Sequence, residues 1–364
     1  MTNLEFCPDI ETLRTIEPGS NSQLITICSE MLSNLLNTEQ TNTCAEFRSD
    51  LTDTTTVDDN WLCIVTSSGK RWKRVIKGMS LNLELAGIKS GDDISVPLMQ
   101  AINYVDNYVR KYGFKNRPII SIKSGGYYLS QNITMPSWVS LVAYGNVELN
   151  ATAVTSGHVI SITNTVVGVD TVHYKGDNLS SIGGTIFITG PGQNATSPNG
   201  IFIGNTVQGK APCRNVKIRN VAVKNTNCAV CFGSIDTYMT MLSDCHLEYN
   251  YINVSSPNSS STNSGETMKF YNVVLSHSIE SHIYNNTPAM DMCFTLCNFD
   301  FTNGDVIKLG RSATYLSIRI VSTHIEAWDG YLLGGPDTAL SNTIVMIEQP
   351  LLLPRARKAV SGFA

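Results

Sequence analysis

Short apolar runs, separated by polar turn residues, fill the chain between about residues 118 and 353. The runs return roughly every 20 to 30 residues, which is the period range of a solenoid. A sandwich of hairpins would instead show paired strands joined by two-residue turns. The pattern therefore predicts an all-β fold, a right-handed parallel β-helix. The strand-like runs are residues 119–122, 139–142, 159–162, 184–189, 200–204, 215–223, 268–270, 306–309 and 344–347.

The clearest of these runs is residues 215–225, NVKIRNVAVKN. Apolar residues alternate with polar ones, as in a half-buried strand. Asn stands at positions 215, 220 and 225, where a change of direction needs turn residues. This segment is predicted to form one coil of the β-helix.

A single amphipathic helix is predicted over residues 95–112, before the first coil. Its apolar residues have the 4-3-4 spacing of one helix face. Asp93 or Ser95 suits the start of the helix and Gly113 its end. Because stacked coils need a cap on the end of their continuous core, we expect this helix to be that cap. The predicted buried face is Leu98, Ile102, Val105 and Val109.

Residues 1–78 are predicted to form a separate N-terminal unit. Residues 61–66 and 70–75 indicate two strands around a glycine turn at 67–69. Four basic residues surround Trp72 and form either a phosphate-binding patch or, as we expect, the solvated flanks of the hairpin with Trp72 inward. The other predicted segments are a linker and capping helix at 79–117, the β-helix at 118–353 and a C-terminal tail at 354–364.

Composition narrows the function classes. Charged residues make up 15% of the chain and the formal net charge is −4, so a basic nucleic-acid binder is not expected. No apolar run approaches the roughly 18 residues of a membrane span, and no signal peptide is visible. The predictions are therefore no nucleic-acid partner, no membrane and synthesis in a reducing cytoplasm.

The cysteines raise a metal question. Cys228 and Cys231 form a C-x-x-C pair, and Cys293 and Cys297 are four residues apart. Both pairs lie in apolar, strand-like segments, where Cys serves as a small buried residue. No second C-x-x-C follows at zinc-ribbon spacing. No P-loop, nucleophile elbow or H-E-x-x-H motif is present. No metal and no cofactor are predicted.

Several segments resemble phage tailspikes. Residues 12–18 (TLRTIEP) and 72–74 (WKR) look most like the N-terminal module of tailspikes from Klebsiella and related enterobacterial phages. Residues 85–94 (LAGIKSGDDI) and 133–141 (ITMPSWVSL) are similar to the entry and opening coils of pectate-lyase-like β-helices. Later coils resemble the family at residues 264–272 (SGETMKFYN), 298–301 (NFDF) and 323–326 (THIE), with HLE at 246–248 repeating the last pattern.

The resemblance implies a function as well as a fold. Tailspikes of this kind are homotrimers that attach to the virion tail, directly or through adaptor proteins, by their N-terminal module. They bind or cleave bacterial surface polysaccharide, such as capsule, along the β-helix. The chain is thus expected to be a virion tail component that depolymerises capsular polysaccharide. The alternatives are a non-catalytic receptor-binding or structural tail protein of the same fold, and an unrelated β-solenoid enzyme or adhesin.

Carboxylates supply the candidate chemistry. Glycoside hydrolysis needs two of them, roughly 5 to 9.5 Å apart, and coils stack about 4.8 Å apart. Glu266, Asp300 and Glu326 follow one another at about one coil each. If they face outward in register, repulsion would raise one pKa and provide a general acid. These three residues are the first candidate catalytic set.

A second set surrounds a histidine. Asp244 and Glu248 lie two residues on either side of His246 and share its face if the run is a strand. His246 and His324 are candidates for proton transfer or sugar contact.

Two aromatic residues are candidates for substrate binding. They are Trp328, which lies beside Glu326, and Tyr271. The opposing expectation is that most β-helix aromatics pack in the core. A lyase would instead need a base near the uronate, for which Lys308, Arg311 and Arg319 are available. We expect hydrolysis rather than elimination.

Overall fold

The computed structural model describes residues 5–27, 45–76, 79–166, 177–313, 316–340 and 343–353. The chain divides into two compact units, Met1–Ile88 and Lys89–Ala364. The predicted N-terminal unit, 1–78, falls within the first of these. The predicted tail at 354–364 lies outside the described residues.

The first unit is a small sheet with one short helix. Its core contains Leu13, Ile25, Phe47 and Trp72, all fully buried, so the expected inward packing of Trp72 is confirmed. Parallel pairing joins the first two strands, and the others pair antiparallel. The elements are strands Glu5–Cys7, Leu24–Ile27, Ala45–Asp50, Cys63–Val65 and Arg71–Arg74, and helix Ile10–Thr15. Strand Ser80–Asn82 and the 3-10 turn Leu83–Ala86 follow.

The basic residues around Trp72 are engaged within this unit. Lys73 forms ion pairs with Asp50 and Asp53, and the Arg74 guanidinium is buried and donates to the Trp61 carbonyl. A patch whose cations are already paired offers little charge to phosphate. The expectation of a solvated, paired hairpin flank is therefore favoured over a phosphate site.

The predicted amphipathic helix is confirmed at Ser95–Tyr112. Its four predicted core residues are all buried. The Asp93 side chain accepts from the Ser95 amide at 2.9 Å near the helix start. Gly113 ends the helix with a φ of 74°, a left-handed conformation that glycine adopts at little cost.

The second unit is a parallel β-helix built from three columns of stacked strands, as predicted. The first column contains Ile133–Met135, His158–Ile162, Asn199–Ile203, Cys228–Phe232, Ile252–Ser256, Ser281–Asn285, Asp305–Leu309 and Leu333–Gly334. The second contains Leu179–Ile182, Lys217–Arg219, Met241–Ser243, Met268–Tyr271, Asp291–Thr295, Leu316–Val321 and Thr343–Glu348.

The third column positions the candidate site. It contains Ile186–Thr189, Val221–Lys224, His246–Glu248, Val274–Ser278, Asn298–Thr302, His324–Trp328 and Leu351–Leu353. The long strands Ile119–Tyr128 and Leu141–Asn150 begin the second and third columns together. Outside the columns lie the paired strands Cys213–Arg214 and Thr237–Tyr238 and the helix Asp337–Leu340.

Left-handed residues turn the chain at the ends of the second- and third-column strands: Asn220 lies between the two columns, Asn215 precedes a second-column strand and Asn225 follows a third-column strand. Asn215, Asn220 and Asn225 have φ values of 58°, 53° and 58°, which agrees with their predicted turn role. Further along, the turn position passes from Asn220 to residues such as Asp244 and Asn272, with φ of 54° and 51°. Along a strand, side chains point alternately to the core and to solvent. A residue with positive φ shifts this pattern in the strand that follows, so these turns decide which side chains face solvent.

The cysteines of the described segments behave as small core residues. Those described are free thiols, and all except half-buried Cys293 are buried. Cys228 and Cys231 pack with Phe202. Burial raises the pKa of the Cys213 and Cys245 thiols to about 12, which keeps them protonated and poor metal ligands.

Candidate active site

Two parallel rows of side chains face outward from the third column. We define the carboxylate row as Glu248, Ser276, Asp300 and Glu326, which are register partners in successive coils. The imidazole row is His246, Val274, Asn298 and His324, in the same strands. Neighbours within a row are one strand spacing apart, about 4.8 Å at the backbone.

Asp300, His324 and Glu326 come together on this face. His324 lies between the two carboxylates: its Nδ1 is 3.6 Å from Asp300 Oδ1, and its Nε2 is 3.4 Å from Glu326 Oε2. One carboxylate oxygen of Asp300 and one of Glu326 lie within 4.8 Å of each other. The predicted register of these two carboxylates is therefore confirmed.

The cluster is shielded from solvent but not closed. The Asp300 side chain is 17% exposed and that of Glu326 28%. Among the described residues, Asp300 Oδ1 and His324 Nε2 are buried atoms without a hydrogen-bond partner. Burial raises the pKa of the Asp300 carboxyl, His324 opposes the shift and the charge of Glu326 adds to it. A carboxyl that holds its proton beside a second carboxylate can act as an acid.

His246 and Glu248 form a different arrangement in the same column. His246 Nδ1 lies 3.2 Å from Glu248 Oε1, and the imidazole is 54% exposed. The hydrogen bond to Glu248 raises the pKa of His246 and lowers that of Glu248. Each group thus stabilises the charged form of the other, so this is an ion pair at acidic to neutral pH.

Two predicted carboxylates lie elsewhere. Glu266 is exposed on the segment before Met268–Tyr271, where its carbonyl accepts from the Met239 amide, so it does not share the row of Asp300. Asp244 occupies the left-handed turn before the strand of His246 and accepts from Asn272 Nδ2 at 2.8 Å. It therefore does not share the strand face of His246 and Glu248.

The two predicted aromatic contacts differ in exposure. Trp328 is only 7% exposed, and it stacks in register with buried Thr302. The left-handed Ala327, with a φ of 53°, reverses the alternation and turns Trp328 inward. The prediction of an exposed sugar platform at Trp328 is wrong. Tyr271 is 45% exposed, but it lies in the second column.

One ladder of stacked rings beside the site is absent from the predicted site residues. Tyr249, His277 and Phe301 each follow a residue of the carboxylate row and have positive φ. Their rings stack, with centroids 4.3 Å apart for Tyr249–His277 and 5.0 Å for His277–Phe301. Their stacked faces cover one another, and such stacking offsets part of the cost of left-handed backbone. The signal was available: each ring follows a row residue by one position.

Asp300, His324 and Glu326 are also the described residues that could hold a metal ion, since each offers one ligand atom. An imidazole with two carboxylates suits divalent first-row metals. The sequence predicts no metal, and that prediction stands as one to test. Two of the three cations considered for a lyase are engaged: Lys308 pairs with Glu280, and Arg319 with Glu348 at 2.9 Å.

Comparison with known proteins gives one family match. Residues 6–77 match the model of a phage tail protein small four-stranded β-sheet domain. This agrees with the prediction that the chain is a virion tail component, and the matched residues lie within the first unit. The match ends before the β-helix begins.

Solved tailspikes are similar in fold to this chain. The gp42 tailspike of Acinetobacter phage vb_AbaP_AS12 matches with a TM-score of 0.66 and 11% identity, over 96% of this chain and 57% of that one. The enzymatically active domains of bacteriophage CBA120 tailspike proteins 2 and 4 match at TM-scores of 0.62 and 0.57, both at 14% identity. They cover 99% and 96% of this chain, and 54% and 49% of those chains.

The likeness confirms the tailspike-type β-helix fold. The chain spans about half the length of the tailspikes it matches. In the part of the chain that is described, no helix has the length and apolar character needed to cross a membrane.

Proposed function

We propose that this protein is a phage tailspike that binds bacterial surface polysaccharide and hydrolyses its glycosidic bonds at Asp300 and Glu326. One observation carries the proposal: two carboxylates lie one coil apart on an outward face, and burial raises the pKa of one of them. The tail-domain match and the tailspike fold support the biological setting.

The environment of each carboxylate assigns its role. Asp300 retains a proton more readily, so it is the general acid that protonates the leaving glycosidic oxygen. Glu326 is the nucleophile at the anomeric carbon. His324 lies between them and positions both side chains. Asp300, then deprotonated, removes a proton from water as the water cleaves the glycosyl–Glu326 bond.

The spacing favours retention of anomeric configuration. Retaining enzymes hold their carboxyl groups about 5 to 5.5 Å apart and inverting ones about 6.5 to 9.5 Å apart. One carboxylate oxygen of Asp300 and one of Glu326 lie within 4.8 Å of each other, which is closer to the retaining separation than to the inverting one. Glu248, two coils from Asp300, lies about 9.6 Å away by strand spacing and is the partner that inversion would require.

The roles of the N-terminal unit and the oligomeric state follow from the proposal that the protein is a tailspike. The N-terminal unit attaches the chain to the phage tail or to an adaptor protein, and the functional particle is a homotrimer. Apolar side chains exposed late in the β-helix, such as Ile344 and Met346 at 64% and 50%, support association, because water-exposed apolar surface favours burial between subunits.

Purified capsular polysaccharides from enterobacteria provide the test. We expect reducing ends to appear without the ultraviolet absorbance of unsaturated uronates, and the first product to keep its anomeric configuration by proton NMR. Asp300→Asn and Glu326→Gln should each lower turnover about 10²- to 10⁴-fold. Asp291→Asn, at an exposed carboxylate of the second column, is the matched control and should be unchanged.

Other outcomes point elsewhere. Rising absorbance would mean elimination and would overturn the carboxylate mechanism. Binding without cleavage would favour the receptor-binding alternative. Inversion, with loss of activity in Glu248→Gln, would move the second catalytic role from Glu326 to Glu248.

A further inference from the structure

An open depression of about 180 Å³ lies on the outward face of the third column, before the carboxylate pair. The proposed catalytic roles leave it unused. Its lining residues are Phe187, Ile188, Ala222, Val223, Lys224, His246 and Glu248.

The depression is built by a small residue between two ring residues. Phe187, Ala222 and His246 are register partners in three successive coils. Ala222 bears only a methyl group, so a gap opens between the Phe187 and His246 side chains, whose strands are two spacings, about 9.6 Å, apart. Apolar contacts form at about 3.5 to 4.0 Å, so this gap accommodates one ring with contacts on both sides. We call it the ring slot.

The positive charge of Lys224 gives the ring slot a preference for acidic rings. Lys224 borders it, is exposed and lies in the coil between Thr189 and Glu248. Its ammonium makes no hydrogen bond or ion pair with any residue that the structure describes, although its charge helps to lower the pKa of Glu248 on the other side of the slot. The nearby His246 is held by Glu248. An unpaired ammonium beside a ring-sized gap matches a ring that carries a carboxylate.

We propose that the ring slot binds a uronic acid unit of the polysaccharide, with the sugar ring between Phe187 and His246 and its carboxylate on Lys224. This inference rests on the proposed function and names its substrate class: an acidic polysaccharide. Glu248 acts here as a positioning residue that fixes the His246 imidazole.

The register also sets where the uronate lies relative to cleavage. Lys224 precedes Glu248, Ser276 and Asp300 along one row. Three strand spacings amount to about 14 Å, which is longer than one sugar ring. The polysaccharide therefore lies along the column, and the recognised uronate is separated from the cleaved bond by intervening sugar.

Binding measurements on the Asp300→Asn full chain test this without cleavage. Uronate-containing capsular polysaccharides are compared with the same polymers after their carboxyl groups are reduced to alcohols. We expect reduction to weaken binding about tenfold. Adding Lys224→Ala should weaken binding to the acidic polymer by a similar factor and remove most of the discrimination, whereas Lys224→Arg should retain it.

Two further variants separate charge from shape. Ala222→Phe fills the ring slot at an outward-facing position and should abolish the preference, while its melting temperature reports whether the fold is intact. Lys269→Ala removes an exposed lysine of the second column and should change nothing.

The outcomes distinguish this inference from the hydrolysis proposal. Equal binding of acidic and reduced polymers would overturn the ring slot assignment, even if the wild-type chain cleaves them. No binding to any uronate polymer would overturn it too. Discrimination that depends on Lys224 and Ala222 would support it, even if no polymer is cleaved and the hydrolysis proposal fails.

Discussion

Two nearly identical tripeptides occupy equivalent places in the third column and behave differently. His246-Leu-Glu248 and His324-Ile-Glu326 each place an imidazole and a carboxylate on the outward face, three coils apart. In the first, His246 pairs with Glu248 at 3.2 Å. In the second, His324 lies 3.6 and 3.4 Å from Asp300 and Glu326.

The difference comes from the preceding coil. Lys224 stands one coil before Glu248, whereas Asp300 stands one coil before Glu326. With Lys224 in the preceding coil, His246 and Glu248 pair with each other. A second carboxylate turns the other motif into a cluster with unpartnered buried atoms. In a solenoid, the chemistry of a motif is therefore set by the residue stacked on it as much as by the motif itself.

The largest effect on turnover should come from removing the carboxylate of Asp300, the residue that makes the two tripeptides differ. Asp300→Asn should lower turnover on a cleaved polysaccharide about 10³-fold, because it removes the general acid. Glu248→Gln removes a carboxylate of the other motif and should cost less than about tenfold. Steady-state release of reducing ends measures both. Equal losses would show that the two motifs act as one site.

The same substitution, Asp300→Asn, should raise the stability of the fold although it lowers turnover. The pKa of Asp300 is raised in the folded state, so its ionised form opposes folding, and stability falls as pH rises through the window above its ordinary pKa. Asp300→Asn should therefore raise the free energy of unfolding at pH 7 by on the order of 1 kcal/mol. The gain should fade as pH falls below the ordinary pKa of an aspartate, where Asp300 is protonated in both the folded and the unfolded chain. Denaturant unfolding at the two pH values measures this, and a variant that is less stable at pH 7 would contradict it.

The exposed pair should give a smaller effect. Glu248→Gln should return the pKa of His246 towards its ordinary value near 6.5, as followed by NMR titration of the imidazole. The pair's contribution is present while His246 is charged and Glu248 ionised. It is lost as pH rises through the raised pKa of His246 or falls through the lowered pKa of Glu248. Because the two side chains are 54% and 35% exposed, the free energy of unfolding should change by less than about 0.5 kcal/mol. An unchanged pKa of His246 in Glu248→Gln would show that the two side chains do not form a pair.

Chelation should have the smallest effect. Hydrolysis by Asp300 and Glu326 needs no metal, so dialysis against EDTA should leave turnover unchanged within about twofold. A large loss that is restored by a divalent cation would identify the His324 cluster as a metal centre and replace the acid–nucleophile assignment.

Much of the fold follows from the sequence because periodicity and turn preference act locally. The helix face, the columns and the Asn turns at 215, 220 and 225 were all predictable. The errors at the site share one cause: left-handed residues that are neither Gly nor Asn. Thr267 and Ala327 have φ of 57° and 53°, and they set the facing of the side chains around them. Such residues rarely adopt this conformation alone, so stacking between coils, invisible in one sequence, imposes it.

The stacking of Glu248, Ser276, Asp300 and Glu326 has an evolutionary consequence. Distances along the column come in whole strand spacings of about 4.8 Å. Duplication or loss of one coil between Lys224 and Asp300 would shift the ring slot against the carboxylate pair by one such step and leave both intact. Specificity for the position of an acidic sugar can thus change in discrete jumps, through insertions of whole coils rather than through gradual reshaping of a pocket.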